Sequence, residues 1–180
     1  MYKILVFKQF MEQPRRQPKV SFKHFLEKFP EVPLPITLAE EAHHAFSQKN
    51  DPLPLPMIER FILPIEEKPA DELTEFIPCI RIPDTHEFHA IIYWRAMLLS
   101  YEYTLATFNK KAELIDKQVI AGTFSQGPLL TNAVATIEDD WMIYVVSGQS
   151  RTDQASGFDA TKSTATKFEL LPEGKIVEQI

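Results

Sequence analysis

Proline and glycine divide this chain. Of its 14 prolines, twelve lie in residues 1–83, whereas all 5 glycines lie beyond residue 121. Proline locks φ and removes an amide donor, so it cuts helices short and stays out of central strands. Glycine supplies the positive φ that tight turns between strands require. The partition predicts short, proline-bounded helices first and a turn-linked sheet afterwards.

The periodicities agree. Ser21 can cap a helix whose Phe22, Phe25, Leu26 and Phe29 recur at helical spacing, and Pro30 ends it. Thr37-Leu38-Ala39-Glu40 matches a capping box, which predicts a second helix from Thr37 to about Gln48 burying Leu38, Ala42, Ala45 and Phe46. A third begins near Pro56, buries Ile58, Phe61 and Ile62, and halts at Pro64. Pro52-Leu53-Pro54-Leu55-Pro56 lacks the two-residue gap of a proline-recognition motif and reads as a stiff spacer.

From Phe76 the pattern alternates. Strands are expected at Phe76–Ile82, Glu87–Arg95, Tyr101–Phe108, Leu114–Ala121, Ala133–Ile137, Trp141–Ser147, Ala165–Leu171 and Ile176–Gln179. The connections, such as Asn109-Lys110-Lys111-Ala112 and Pro172-Glu173-Gly174-Lys175, are too short for parallel crossovers. The fold class expected is α+β: short N-terminal helices packed on an antiparallel β-meander, as an open sheet or a small barrel. Ile91, Tyr93, Tyr101, Tyr103, Leu105, Trp141, Ile143 and Val145 alternate and are expected to share one core face. All 180 residues fit one domain, helical over 1–75 and β over 76–180.

Phe29-Pro30, Leu34-Pro35-Ile36-Thr37, the run from Tyr103 to Asp116 and Ile120-Ala121-Gly122 together resemble a loose bacterial group of small β-rich domains. Its members are uncharacterised and are often carried as lipoproteins. The resemblance implies a β-rich fold and no catalytic residue.

Charge and composition exclude several classes. Nineteen Lys and Arg against 25 Asp and Glu leave a net charge of −6, which disfavours nucleic acid as a partner. Lys3, Lys8, Arg15, Arg16 and Lys19 stand against Glu12 near the start, read as an opening strand at Ile4–Phe7 followed by a solvated loop. Those four apolar residues fall short of a signal peptide's apolar region, and Ala90–Leu99, interrupted by Arg95, is too short to span a bilayer. A cytoplasmic protein without a membrane span is the expectation.

Candidate chemistry is sparse. In His86-Glu87-Phe88-His89, strand alternation would put His86 and His89 on opposite faces, away from a shared metal ion. His43-His44 reads as a solvated helix face, with Glu40 and His44 placed to pair. Cys79 reads as a buried thiol, with Arg81 on its face and His86 or His89 in reach across the next strand. Neither the serines nor the glycines form a nucleophile elbow, phosphate loop or calcium loop, and no cofactor or metal is expected.

The stretch Gly148–Lys162 has no periodicity and reads as a long loop, with Arg151, Asp153, Phe158 and Asp159 suited to contact with a partner. The functional expectation is a non-enzymatic binding or interaction domain for a protein or small molecule, using this loop or a sheet face. The alternative is a ligand-binding barrel or enzyme with a pocket near Cys79, His86 and His89.

Overall fold

A computed structural model describes residues 20–151 and 158–179. The opening strand expected at Ile4–Phe7 lies outside them. Helix α1 (Phe22–Leu26) starts at Ser21, whose hydroxyl accepts the His24 amide, and strand β1 (Ile36–Leu38) follows. Helix α2 spans Ala42–Lys49, and α3 (Leu55–Met57) runs on through a π turn (Ile58–Ile62) and a 3₁₀ turn (Leu63–Ile65). Eight longer strands complete the chain: β2 (Glu75–Arg81), β3 (Phe88–Met97), β4 (Ser100–Asn109), β5 (Leu114–Gln126), β6 (Leu129–Ile137), β7 (Met142–Arg151), β8 (Phe158–Leu170) and β9 (Ile176–Gln179). The protein is thus mostly antiparallel sheet with a few short helices, and β1 separates the first helix from the others. Among the described residues no helix is long and apolar enough to cross a membrane.

The strands pair in chain order from β2 to β9, and the sheet is open, with β2 and β9 at its ends. β5 is the pivot. It pairs with β4 along most of its length, but with β6 only from Gly122 onwards. The edge of β6 that β5 leaves is taken by β1, which matches Ile36, Thr37 and Leu38 to Ile137, Thr136 and Ala135.

That pairing corrects the second helix. Thr37 is a strand residue whose hydroxyl meets that of Thr136 at 3.0 Å. The helix starts only at Ala42, with Glu41 as a cap that makes no side-chain bond. Leu38 is buried in the sheet core, whereas Ala45 is exposed. Pro64 does not end the third helix either, because the tighter 3₁₀ turn carries it on to Ile65.

Register also divides the aromatic stripe. Directly paired residues share a face, and β3 pairs Ile91 with Ala106, Ile92 with Leu105 and Tyr93 with Thr104. Ile92, Trp94, Tyr103, Leu105 and Ile143 therefore pack inside the curl of the sheet, with Trp141 and Val145 against them. Ile91, Tyr93, Ala106 and Phe108 face the other way, where Phe25, Phe29, Met57, Phe61 and Ile62 of the helical stretch cover them. Tyr101 is exposed. Buried on both faces, β3 and β4 form the middle of the molecule.

The turns use fewer glycines than their number beyond residue 121 suggests. Ala112 and Trp141 take positive φ where a glycine would be at ease. The β4–β5 turn holds that shape because the Asn109 side-chain oxygen accepts the Lys111 and Glu113 amides. The β8–β9 turn folds back over β4: Thr107 Oγ1 donates to the Gly174 carbonyl at 2.7 Å and accepts the Asp116 amide at 3.0 Å. Thr107→Val should leave both groups unpaired in the core and lower unfolding free energy by about 1–3 kcal/mol in urea titrations.

Candidate functional site

Among the described residues, cavities open on the double-buried part of the sheet. The first lies where β2 gives way to β3. Pro83 and Asp84 form a turn in which Asp84 takes a φ of 61°. Asp84 accepts the His86 amide at 3.0 Å through its own carbonyl, which bends the chain before β3 starts. His86 therefore does not lie on the strand, and alternation does not apply to it. His86 and His89 instead line one cavity of about 320 Å³, together with Arg81, Lys110, Thr85 and two acids, Glu31 and Asp84. The expected placement on opposite faces is overturned by that turn.

Each wall has its own support. Arg81 ends β2; its guanidinium meets Glu31 at 3.1 Å and its amide donates to the Pro30 carbonyl. Lys110 sits in the β4–β5 turn, its ammonium 3.5 Å from the Phe88 carbonyl, too long for a strong bond. His89, half-buried, is set edge-on to the Phe22 ring of α1, with centroids 5.8 Å apart. Burial, reinforced by the positive charges of Lys110 and Arg81, holds its imidazole below the usual histidine range. Among the described residues no three His, Cys, Asp or Glu side chains are grouped to hold a metal ion.

Cys79 is not part of this cavity. A bulge between Pro78 and Ile80 turns both Cys79 and Ile80 into the sheet core, while Arg81 pairs with Ile91 on the other face. The thiol is fully buried, donates weakly to the Ile77 carbonyl at 3.6 Å, and is pushed well up by burial. The expected shared face of Cys79 and Arg81 is corrected by that single extra residue.

Two other expectations change. His43 is half-buried, its ring flat on the Trp94 indole, 4.3 Å away at an interplanar angle of 1°, while His44 is exposed as expected. The stretch Gly148–Lys162 is not one loop, since β7 runs to Arg151 and β8 starts at Phe158, pairing Ser150 with Phe158 and Gln149 with Asp159. Gln149 and Ser150 of β7 and Thr161 of β8 lie on polar strand segments whose order comes from the backbone ladder, which leaves no apolar period to read. Arg151 is exposed at the end of β7, and Asp153 lies outside the described residues.

The second cavity was invisible in the sequence. It measures about 250 Å³ and lies between the segment following the 3₁₀ turn and the face of β3, β4 and β5. Arg95 is at its base and only 1% exposed. Arg95 donates to the Glu66 carboxylate and to the carbonyls of Lys68 and Pro69. Tyr93 donates to the other Glu66 oxygen, and burial, then the Glu66 charge, keeps its phenol protonated. Glu102, directly opposite Arg95 in the ladder, takes the Lys68 ammonium at 3.0 Å, and Lys117 donates to the Ile65 carbonyl at 2.7 Å. In the sequence Arg95 only interrupts an apolar stretch. A lone charge within a strand otherwise fit for burial is the one signal that marks this place.

Comparison of this chain with family models, with curated proteins and with solved structures finds no match.

Proposed function

We propose that this protein is a non-enzymatic β-rich domain that binds a small anion, a phosphate or a carboxylate, in the cavity before β3. One observation carries the reading: Arg81, Lys110, His86 and His89 converge on a single cavity. All four side chains are nitrogen donors suited to oxyanions when protonated. Among the described residues Lys110 has only a distant carbonyl as partner, which leaves its ammonium to a ligand. The one thiol is sealed on the opposite face, so no cysteine nucleophile stands at the cavity.

The histidine makes the reading testable by pH. A neutral His89 beside two cations gains a proton more readily once an anion offsets their charge, so binding and protonation favour each other. Sulfate, whose charge is constant over the range, should bind about tenfold more tightly at pH 5.5 than at pH 8. His89→Gln should flatten that dependence, and Lys110→Ala should weaken binding at every pH. A sulfate titration that leaves the His89 ring resonances unmoved at pH 5.5 sinks the proposal. Without an anion the sign reverses for stability. With the folded value below the usual 6.5, stability is held above pH 6.5 and is lost as pH falls through the folded value.

The same reading takes residues 1–75 as N-terminal helical cover and residues 76–180 as the meander, acting as one domain in the cytoplasm. A second reading, partner contact through the β7–β8 hairpin, is supported by Tyr144 and Val146, exposed on its outer face.

A further inference from the structure

The cavity above Arg95 shares no lining residue with the proposed anion site. Its charges balance as a set, with Glu66, Glu67 and Glu102 facing Lys68, Arg95 and Lys117. They do not balance pair by pair. Glu66 is committed to Arg95 and Tyr93. The Glu102 carboxylate is buried, 6% exposed, and its cationic partner is Lys68, whose side chain is 64% exposed. Lys117 meets a backbone carbonyl, and among the described residues no carboxylate lies in ion-pair range of its ammonium.

The cavity thus offers one buried carboxylate with a displaceable counter-ion and one ammonium without a counter-ion among the described residues. An exposed lysine contributes little net energy to such a pair, because its ammonium is well solvated and its stem is costly to order. A ligand with only one charge would upset the neutral lining and leave a charge uncompensated in a partly desolvated space. A ligand bearing both signs would not.

We infer that this cavity binds a small zwitterion of free amino-acid size, its ammonium on Glu102 in place of Lys68 and its carboxylate on Lys117. Lys68 is then a tethered stand-in for the ligand's ammonium: it keeps Glu102 paired in the empty site and swings into solvent when the ligand enters. Arg95 is a positioning residue that ties Glu66, Lys68 and Pro69 to the sheet and so holds the roof of the cavity in place.

Calorimetric titration of the full chain with γ-aminobutyrate and L-alanine, and with acetate and methylammonium as single-charge probes, tests the inference. At least one zwitterion should bind, and neither single-charge probe should match it. Lys68→Ala should tighten zwitterion binding about tenfold, since the internal competitor is gone, and Lys117→Met should weaken it about tenfold or more. A purely structural Lys68 would give no tightening. The inference is overturned by weaker binding in Lys68→Ala, by a single-charge probe binding equally well, or by no zwitterion binding to wild type and Lys68→Ala at about 10 mM. Sulfate affinity and its pH dependence should be untouched by both substitutions, so failure here and failure of the anion site read out separately.

Discussion

Gly122→Ala should lower the melting temperature by roughly 10 °C, the equivalent of about 4 kcal/mol for a chain of this size. Gly122 takes a φ of 149°, a conformation rare for side-chain-bearing residues, and an added Cβ would lie 2.1 Å from the Tyr101 carbonyl oxygen. That oxygen belongs to the backbone of β4, so relief requires β4 and β5 to part where they are paired through Glu102. Gly122 is also the first β5 residue to pair with β6. The substitution therefore strains the position at which β5 joins two neighbours at once. Gly127→Ala is the matched control, at a positive φ of 59° but with nothing within 4 Å of the added atom. It should cost about 1 kcal/mol. Comparable thermal scans for the two variants would show that the pivot does not depend on close approach.

Arg95→Ala should cost about 3–5 kcal/mol in urea unfolding, among the largest single effects in the protein. Arg95 is 1% exposed, and its loss strands the Glu66 carboxylate, itself 7% exposed, with the Tyr93 phenol as its remaining side-chain partner. The carbonyls of Lys68 and Pro69 lose their donor in the same step. Removing both charges is a different matter, because the penalty for an unpaired buried carboxylate then disappears. Arg95→Met combined with Glu66→Leu should recover most of the stability lost by Arg95→Ala. A double-mutant cycle should return a coupling of about 2–3 kcal/mol. A cost under about 1 kcal/mol for the single substitution would mean that the segment 66–69 is held by other contacts.

The two parts of this protein were unequally legible. All eight strands from β2 to β9 were expected, since each hairpin is specified by residues a few positions apart. But β5 and β7 run on past Ala121 and Ser147, and β6 and β8 start before Ala133 and Ala165, where polar residues hide the alternation. β1 was not legible. Three residues cannot display a period, and Thr37 and Glu40 offered a local reason for a helix. What decides the matter is the edge of β6 left open where β5 departs, some hundred residues downstream. Face assignment failed for a related reason: the alternation of Ile91 and Tyr93 is real, but only the register with β4 shows that they oppose Tyr103 and Leu105.

For the sites, local signals went only part of the way. His86 and His89 were legible as a cluster, but the turn at Asp84 that joins them, and the arrival of Arg81 and Lys110, are matters of tertiary placement. The cavity above Arg95 gathers Glu66, Arg95, Glu102 and Lys117 from separate elements, a convergence that no spacing in the sequence encodes.

The seat that β1 occupies beside β6 has a bearing on how the chain is made. Synthesis delivers Ile36–Leu38 well before the residues they pair with, Ala135–Ile137. At ordinary elongation rates about 100 residues take on the order of 5–20 s to emerge. For that interval the nascent chain carries Leu38, a fully buried side chain in the finished protein, with no β6 beside it. The pairing of the first strand in the sheet therefore waits on a segment about 100 residues further along the chain.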